Sequence, residues 1–293
     1  MTEAQLLQLY KNADAFLNVT GAQELRDEHL AIPRRIYVES DPFASQVRVA
    51  NGDQAMIDML SGHDTLFTFG ENIGASDCGI PETRFQWLPT RQPVVLDLWE
   101  THRGSGGKTY NTITTWHNKG KNVTYNGETY YWTKDREFEK FIEVPLRRRA
   151  SFELATRVDD DTVQYLHKHG WAQIASEAVS NDITRYRNYI QQSRGEFTVA
   201  RDQYVRPNTG WFSDRSACYL AAGRPVITQE TGFSKFLPTG KGLFSFKTSD
   251  DILEAVDQIE CDFEGNCDAA RNIASEFFEA EKVLGSLMNR SGI

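Results

Sequence analysis

The chain has 293 residues, 40% of them hydrophobic, and a formal net charge of −9. That length suits two domains with real cores, and the acidic balance argues against a protein that coats duplex nucleic acid, which needs a basic face. Four scattered cysteines form no CxxC pair, so neither a disulfide scaffold nor a zinc site is expected, and a reducing cytoplasm is.

The first ten residues, MTEAQLLQLY, lack the basic-then-apolar pattern of a signal peptide, and no apolar run is long enough to span a bilayer. Residues 15–19 and 35–39 read as buried strands, the second ending at Asp41-Pro42. Ala55, Met56, Met59 and Leu60 have helical spacing. Strands are expected at 66–69, closed by Gly70, and at 93–98. Residues 101–108, THRGSGGK, read as a Gly-Ser linker, and a new sheet is expected to begin at 112–116.

The second half alternates more clearly. A helix over 158–169 stops at Gly170, and a strand follows at 171–175. Ser180 is expected to cap a helix carrying Ile183, Tyr186 and Ile190. A strand at 196–199, a helix from Asp214 to Gly223 and a strand at 225–228 come next. Ser249 is expected to cap a helix with Ile252, Leu253, Val256 and Ile259 on one stripe. One long last helix carries Ile273, Phe277, Leu284 and Leu287. The alternation predicts two Rossmann-like α/β domains, 1–105 and 106–293, with parallel sheets.

Several motifs are absent. Gly107-Lys108-Thr109 follows an apolar run, but His102 stands where a P-loop needs its first glycine, and a strand-like run follows instead of a helix. No GxGxxG, HExxH, GxSxG or clustered metal-ligand set appears, so no metal and no cofactor are expected. Asp159-Asp160-Asp161 reads as a solvated helix start.

The informative segment is 195–246. A polar loop with Arg201, Tyr204, Arg206 and Thr209-Gly210 leads to Ser213, which is expected to cap the next helix. Free N–H groups at such a helix start bind phosphate, a glycine lets the ligand approach, and arginines add charge-assisted bonds. An ordinary capped helix with two surface arginines fits the same residues.

The run ACYLAAGRPVI at 217–227 resembles the "helix–A-x-G-x-P-V-V" signature of the C-terminal domain of GT-B glycosyltransferases. Thr231-Gly232-Phe233 resembles the loop facing the donor sugar, and Gly242-Leu243-Phe244 resembles the "G-x-G-L-L" strand. The likeness covers about 165–290 and is architectural only over 1–105, where four strands are counted and the domain reads as short or trimmed. It implies a metal-independent transferase taking a nucleoside-diphosphate sugar, with the last helix crossing back to the first domain. The pair of glutamates of many retaining members is missing: its second position falls at about Cys218.

On this reading Arg206, Gly210, Trp211, Ser213, Asp214 and Arg215 bind the diphosphate donor. Secondary donor contacts are His117, Lys119, Tyr204, Thr231 and Gly232. Asp41 and Glu71, each after a first-domain strand, are the candidate bases; a turn cap before Pro42 and a solvated loop carboxylate are the competing explanations. Trp171 reads as core, whereas Tyr130-Tyr131-Trp132 reads either as a cleft lining or as packing. A sugar-nucleotide epimerase or hydrolase and a non-catalytic sugar-nucleotide-binding subunit remain alternatives. The acceptor is open: a glycan, a small molecule, a protein or a nucleic acid.

Overall fold

The computed structural model describes residues 1–99, 106–147 and 150–293. Four strands form the first sheet in the order β1-β2-β3-β4: β1 Ala15–Val19, β2 Arg34–Glu39, β3 Thr65–Thr68 and β4 Trp87–Pro89. All three pairings are parallel. Successive β2 side chains face opposite ways, as strand geometry requires. Tyr37 packs with Val49, Leu60, Leu66 and Trp87 on the face covered by the helices Ala44–Ala50 and Gln54–Ser61. Ile36 and Val38 pack with Phe67 and Leu287 on the other.

The second sheet has six parallel strands: β5 Thr109–Ile113, β8 Ser151–Ala155, β9 Trp171–Ile174, β10 Gly195–Thr198, β11 Val226–Gln229 and β12 Leu243–Phe246. Between β5 and β8 a short antiparallel arm is made by β6 Val123–Tyr125 and β7 Glu128–Tyr130. The sheet order is β12-β11-β10-β5-β8-β9. Relabelled within the sheet, that is the doubly wound order 3-2-1-4-5-6. Its direction reverses between β5 and β10, and ligands of such sheets bind beyond the carboxyl ends of the strands at that point.

Several expected boundaries move for physical reasons. Residues 93–98 are not a strand. Pro93 has no N–H to give, and Val94 exchanges backbone bonds with Phe278 and Ala280 instead of joining the sheet. The fourth strand is the three-residue β4, too short to show an alternation. The second sheet starts at Thr109 rather than at 112. Asp182, not Ser180, caps the Ile183–Gln191 helix; the Ser180 hydroxyl donates to the Ser176 carbonyl. Thr248 caps the Ser249–Cys261 helix, with Asp251 completing a capping box. The long last helix is two, Phe263–Phe277 and Ala280–Arg290, broken where Phe278 and Glu279 meet Val94. Most of the expected linker at 101–108, its residues 101–105, lies outside the described residues.

The Ala280–Arg290 helix returns to the first sheet. Leu287 is 6% exposed against it, and Arg290 donates to the Pro89 carbonyl at 2.7 Å. No helix among the described residues is long and apolar enough to cross a membrane. Truncating Leu287 to Ala should cost about 2–4 kcal/mol, the price of an unfilled core site. Urea unfolding followed by circular dichroism measures this.

Candidate functional site

The two sheets meet through the loop between β10 and the Asp214–Ala221 helix. Gly210 has φ +78, and a Cβ there would lie 2.4 Å from the Asn72 N and 3.1 Å from the Glu71 N. The missing side chain therefore admits the first domain's backbone rather than a ligand. Asn72 N donates to the Thr209 carbonyl, Gly79 N to the Pro207 carbonyl, and Asn72 Nδ2 to the Asn208 carbonyl. Trp211 carries the contact deeper: its Nε1 donates to the Ser40 carbonyl at 2.9 Å, and its ring stacks on Tyr204. Thr231 and Gly232 brace this loop from behind. The Thr231 hydroxyl donates to the Trp211 carbonyl, and Gly232 packs on Asn208.

Between the sheets this leaves a cleft of about 240 Å³, lined from the first domain by Ser40, Asp41, Phe69 and Gln92 and from the second by Lys134, Arg201, Trp211, Ser213, Asp214 and Arg215. It lies beyond the carboxyl ends of β5 and β10, at the reversal of strand order. Ser213 occupies the N-cap position, but its side chain accepts no helix N–H. The expected cap bond is therefore absent, and the first turn lacks that acceptor.

Three cations converge on this cleft. Arg215 bonds Glu196 at 2.6 Å and the Thr198 hydroxyl at 2.9 Å. Burial alone would lower the Arg215 pKa, but the Glu196 carboxylate outweighs it and holds the guanidinium above its ordinary value. Arg201 reaches Asp41 at 3.1 Å and the Tyr204 hydroxyl at 2.8 Å. Lys134 is 7% exposed. Burial, then repulsion from Arg215 and Arg201, pushes its ammonium well below the usual lysine range, against attraction from Glu196 and Asp214. Among the described residues no carboxylate pairs with it at ion-pair distance. No sequence pattern marks Lys134 as a site residue. Arg201 was visible in the polar loop, but Lys134 follows the arm and joins the site only through the sheet order.

Asp41 sits at the end of β2 on the first-domain side. Its Oδ1 accepts from Tyr204 and Arg201, and its Oδ2 from the Ser40 hydroxyl at 3.2 Å. Tyr204 is fully buried and supports Asp41 rather than lining the cleft. Other expected residues lie elsewhere. Glu71 turns away after Gly70 into a bidentate pair with Arg91, at 2.7 and 2.8 Å, in a separate hollow beside Lys282 and Arg290. The Arg206 guanidinium is held by Asp202, Glu128 and the Thr129 carbonyl over the Tyr130 ring, not at the cleft. His117 pairs with Asp135 on an exposed loop, and neither it nor Lys119 lines the interdomain clefts. Among the described residues no three His, Cys, Asp or Glu side chains gather as a metal site.

A second cleft of about 650 Å³ opens from Ser40 and Asp41 along the first domain, toward Tyr37, Met56 and Met59. Glu39 lies at its base, 2% exposed. Burial raises its carboxyl to about 7, although hydrogen bonds from Thr68 and Gln46 to Oε2 oppose the shift. Its Oε1 makes no hydrogen bond of standard geometry among the described residues, with the Ser45 hydroxyl nearby also opposing the shift.

No protein-family model matches the chain, and a search of curated proteins finds no match. Solved structures do. Anabaena HepE in complex with UDP aligns at TM-score 0.60 and 10% identity over 99% of this chain and 81% of its own. An alpha-glucosyltransferase in complex with UDP and a 13-mer DNA containing a HMU base aligns at 0.59 and 8%, over 99% and 83%. AviGT4, a glycosyltransferase involved in avilamycin A biosynthesis, aligns at 0.57 and 8%, over 99% and 77%. Two Rossmann-like sheets facing across a cleft define the class. The chain has the GT-B glycosyltransferase fold.

Two outcomes follow from the charges. Arg215→Ala strands the buried Glu196 carboxylate, whose Oε2 already lacks a partner, and should cost about 3–5 kcal/mol in urea. Adding Glu196→Gln should recover part of that loss. For Glu39, a carboxyl raised in the folded state contributes stability that is full below the ordinary 4.5 and is lost as pH rises through about 7. Wild type should therefore lose stability relative to Glu39→Gln across that window and run parallel to it above.

Proposed function

We propose that the protein transfers a sugar from a nucleoside-diphosphate donor to an acceptor hydroxyl, without a metal ion. The observation that carries this reading is Lys134, a buried ammonium that shares the cleft with Arg201 and Arg215 and has no ion-pair partner among the described residues. A buried cation in that state is stabilised by an anion brought to it. A diphosphate offers two charged groups at the spacing of neighbouring phosphates, and the cleft offers Lys134, Arg201 and the start of the Asp214–Ala221 helix. Arg215, spent on Glu196, acts mainly as the floor that keeps this field positive.

In glycosyl transfer the bond from the anomeric carbon to the diphosphate breaks, negative charge grows on the leaving phosphate, and the sugar becomes oxocarbenium-like. Cations fixed before the reaction stabilise that charge without reorganising. They replace a divalent ion in the same role. Asp41 is the base candidate that the cleft retains. Arg201 and Tyr204 hold one oxygen, while among the described residues the other accepts only from the Ser40 hydroxyl. That oxygen is free to accept the proton of an acceptor hydroxyl. The chemistry of the neighbours supports the donor class: two of the aligned structures hold UDP.

Lys134→Ala should weaken UDP, GDP or ADP binding about tenfold to a hundredfold, the scale of one charge-assisted bond, with the melting temperature preserved or raised. Binding should also take up a proton, because the anion restores a lowered ammonium pKa. Affinity then falls as pH rises through the lowered value. Calorimetry in two buffers of different ionisation enthalpy measures this. Unchanged affinity in Lys134→Ala and no proton uptake would sink the assignment.

A further inference from the structure

Two short segments bring cations to the smaller cleft. Lys134 stands at the start of the Asp135–Glu139 helix, and its carbonyl accepts the Glu137 and Phe138 N–H groups at 3.0 Å each. Arg201 lies just past β10, separated from Thr198 by Val199 and Ala200. Neither cation lies in a strand, so sheet hydrogen bonds do not set their spacing. Phe138 packs on Phe197 with ring centroids 6.4 Å apart, but apolar contact resists separation without fixing direction.

One side chain bridges the two segments. Gln229, the last residue of β11, is buried. Its Oε1 accepts from Ala200 N, the neighbour of Arg201, at 3.1 Å, and its Nε2 donates to Glu137 Oε2 at 2.7 Å. A backbone N–H only donates and a carboxylate only accepts, so the amide has one orientation that serves both. Glu137 is buried too, and its Oε1 accepts from Lys140 at 2.6 Å. Ala200, Gln229 and Glu137 thus form a polar chain inside the protein, where a satisfied network rigidifies its surroundings.

The joint needs a side chain with a donor and an acceptor at its tip. Methionine has the length without the polar ends, and glutamate would set an acceptor against the Glu137 carboxylate. Gln229 and Glu137 do not line the cation-lined cleft. Their effect on an anion there passes through the backbones of Arg201 and Lys134. A misplacement of about 1 Å is enough to cost a site on the order of a hundredfold.

We propose that Gln229 is a positioning residue, which holds the Lys134 and Arg201 segments at the spacing that lets both cations meet one diphosphate. The inference rests on the donor-binding reading of Lys134. The probe is whichever of UDP, GDP and ADP binds the wild-type chain most tightly. It is titrated by calorimetry in two buffers of different ionisation enthalpy, with melting temperatures measured alongside. Gln229→Glu should weaken binding by more than about tenfold. Adding Glu137→Gln again sets a donor opposite an acceptor at both joints, and this swapped pair should recover most of the lost affinity. Gln229→Met with Glu137→Met leaves no stranded carboxylate. That pair should melt near wild type yet bind more than about tenfold more weakly, with less proton uptake. Wild-type affinity in the methionine pair overturns the inference, as does a swapped pair that melts like wild type but binds as weakly as Gln229→Glu. If the methionine pair fails to fold, the swapped pair decides alone. Failure of the donor reading shows separately in Lys134→Ala. Unchanged affinity there removes both readings, whereas affinity lost there but kept in the methionine pair removes only this one.

Discussion

Everything in the site depends on the docking of the 207–212 loop against the first domain. Gly210 removes a Cβ that would otherwise strike the Asn72 backbone, and Trp211 bonds the Ser40 carbonyl across the same boundary. Backbone bonds at Asn72 and Gly79 add directional constraint that hydrophobic contact alone does not give. This fixes the end of β2 against the strand-order reversal between β5 and β10. Without it Asp41 would have neither Arg201 nor Tyr204, and the cation-lined cleft would have no second wall.

The charge arrangement is expensive by itself. Glu196 and Arg215 are both removed from water, and their attraction offsets desolvation only because the geometry is close and Thr198 adds a bond. Lys134 has only the weaker attraction of Glu196 and Asp214, with no carboxylate at ion-pair distance among the described residues. Its ammonium is destabilised by burial and by two like charges, so the free protein holds there a demand for negative charge. On the proposed donor-binding reading, function and local stability are opposed at this one residue, as is common where a site is preorganised for a charged ligand.

Much of the second domain was readable from sequence, because each element there carries its own signal. The Ala217–Ile227 run pairs a helical stripe with a proline-started strand, and Thr231-Gly232 and Gly242 mark the turns around it. The first domain was harder. Trp87–Pro89 is three residues long and shows no period, while 93–98 looks apolar enough for a strand until Pro93 and the Val94 bonds to the last helices decide otherwise. Site residues divided the same way. Trp211, Ser213, Asp214 and Arg215 lie along one stretch and reach the cleft together. Lys134 and Arg201 meet only because the sheet places β5 beside β10, which no local pattern states. Arg206 and Glu71 missed for a complementary reason: each has an oppositely charged partner, Asp202 and Arg91, that claims it.

A crystal structure of the chain with a nucleoside diphosphate bound tests the central claim most directly. The account predicts a phosphate oxygen within hydrogen-bond distance of Lys134 Nζ, at the start of the Asp214–Ala221 helix, with Asp41 across the cleft. A diphosphate bound elsewhere on the molecule, or an empty cleft at saturating ligand, would contradict it.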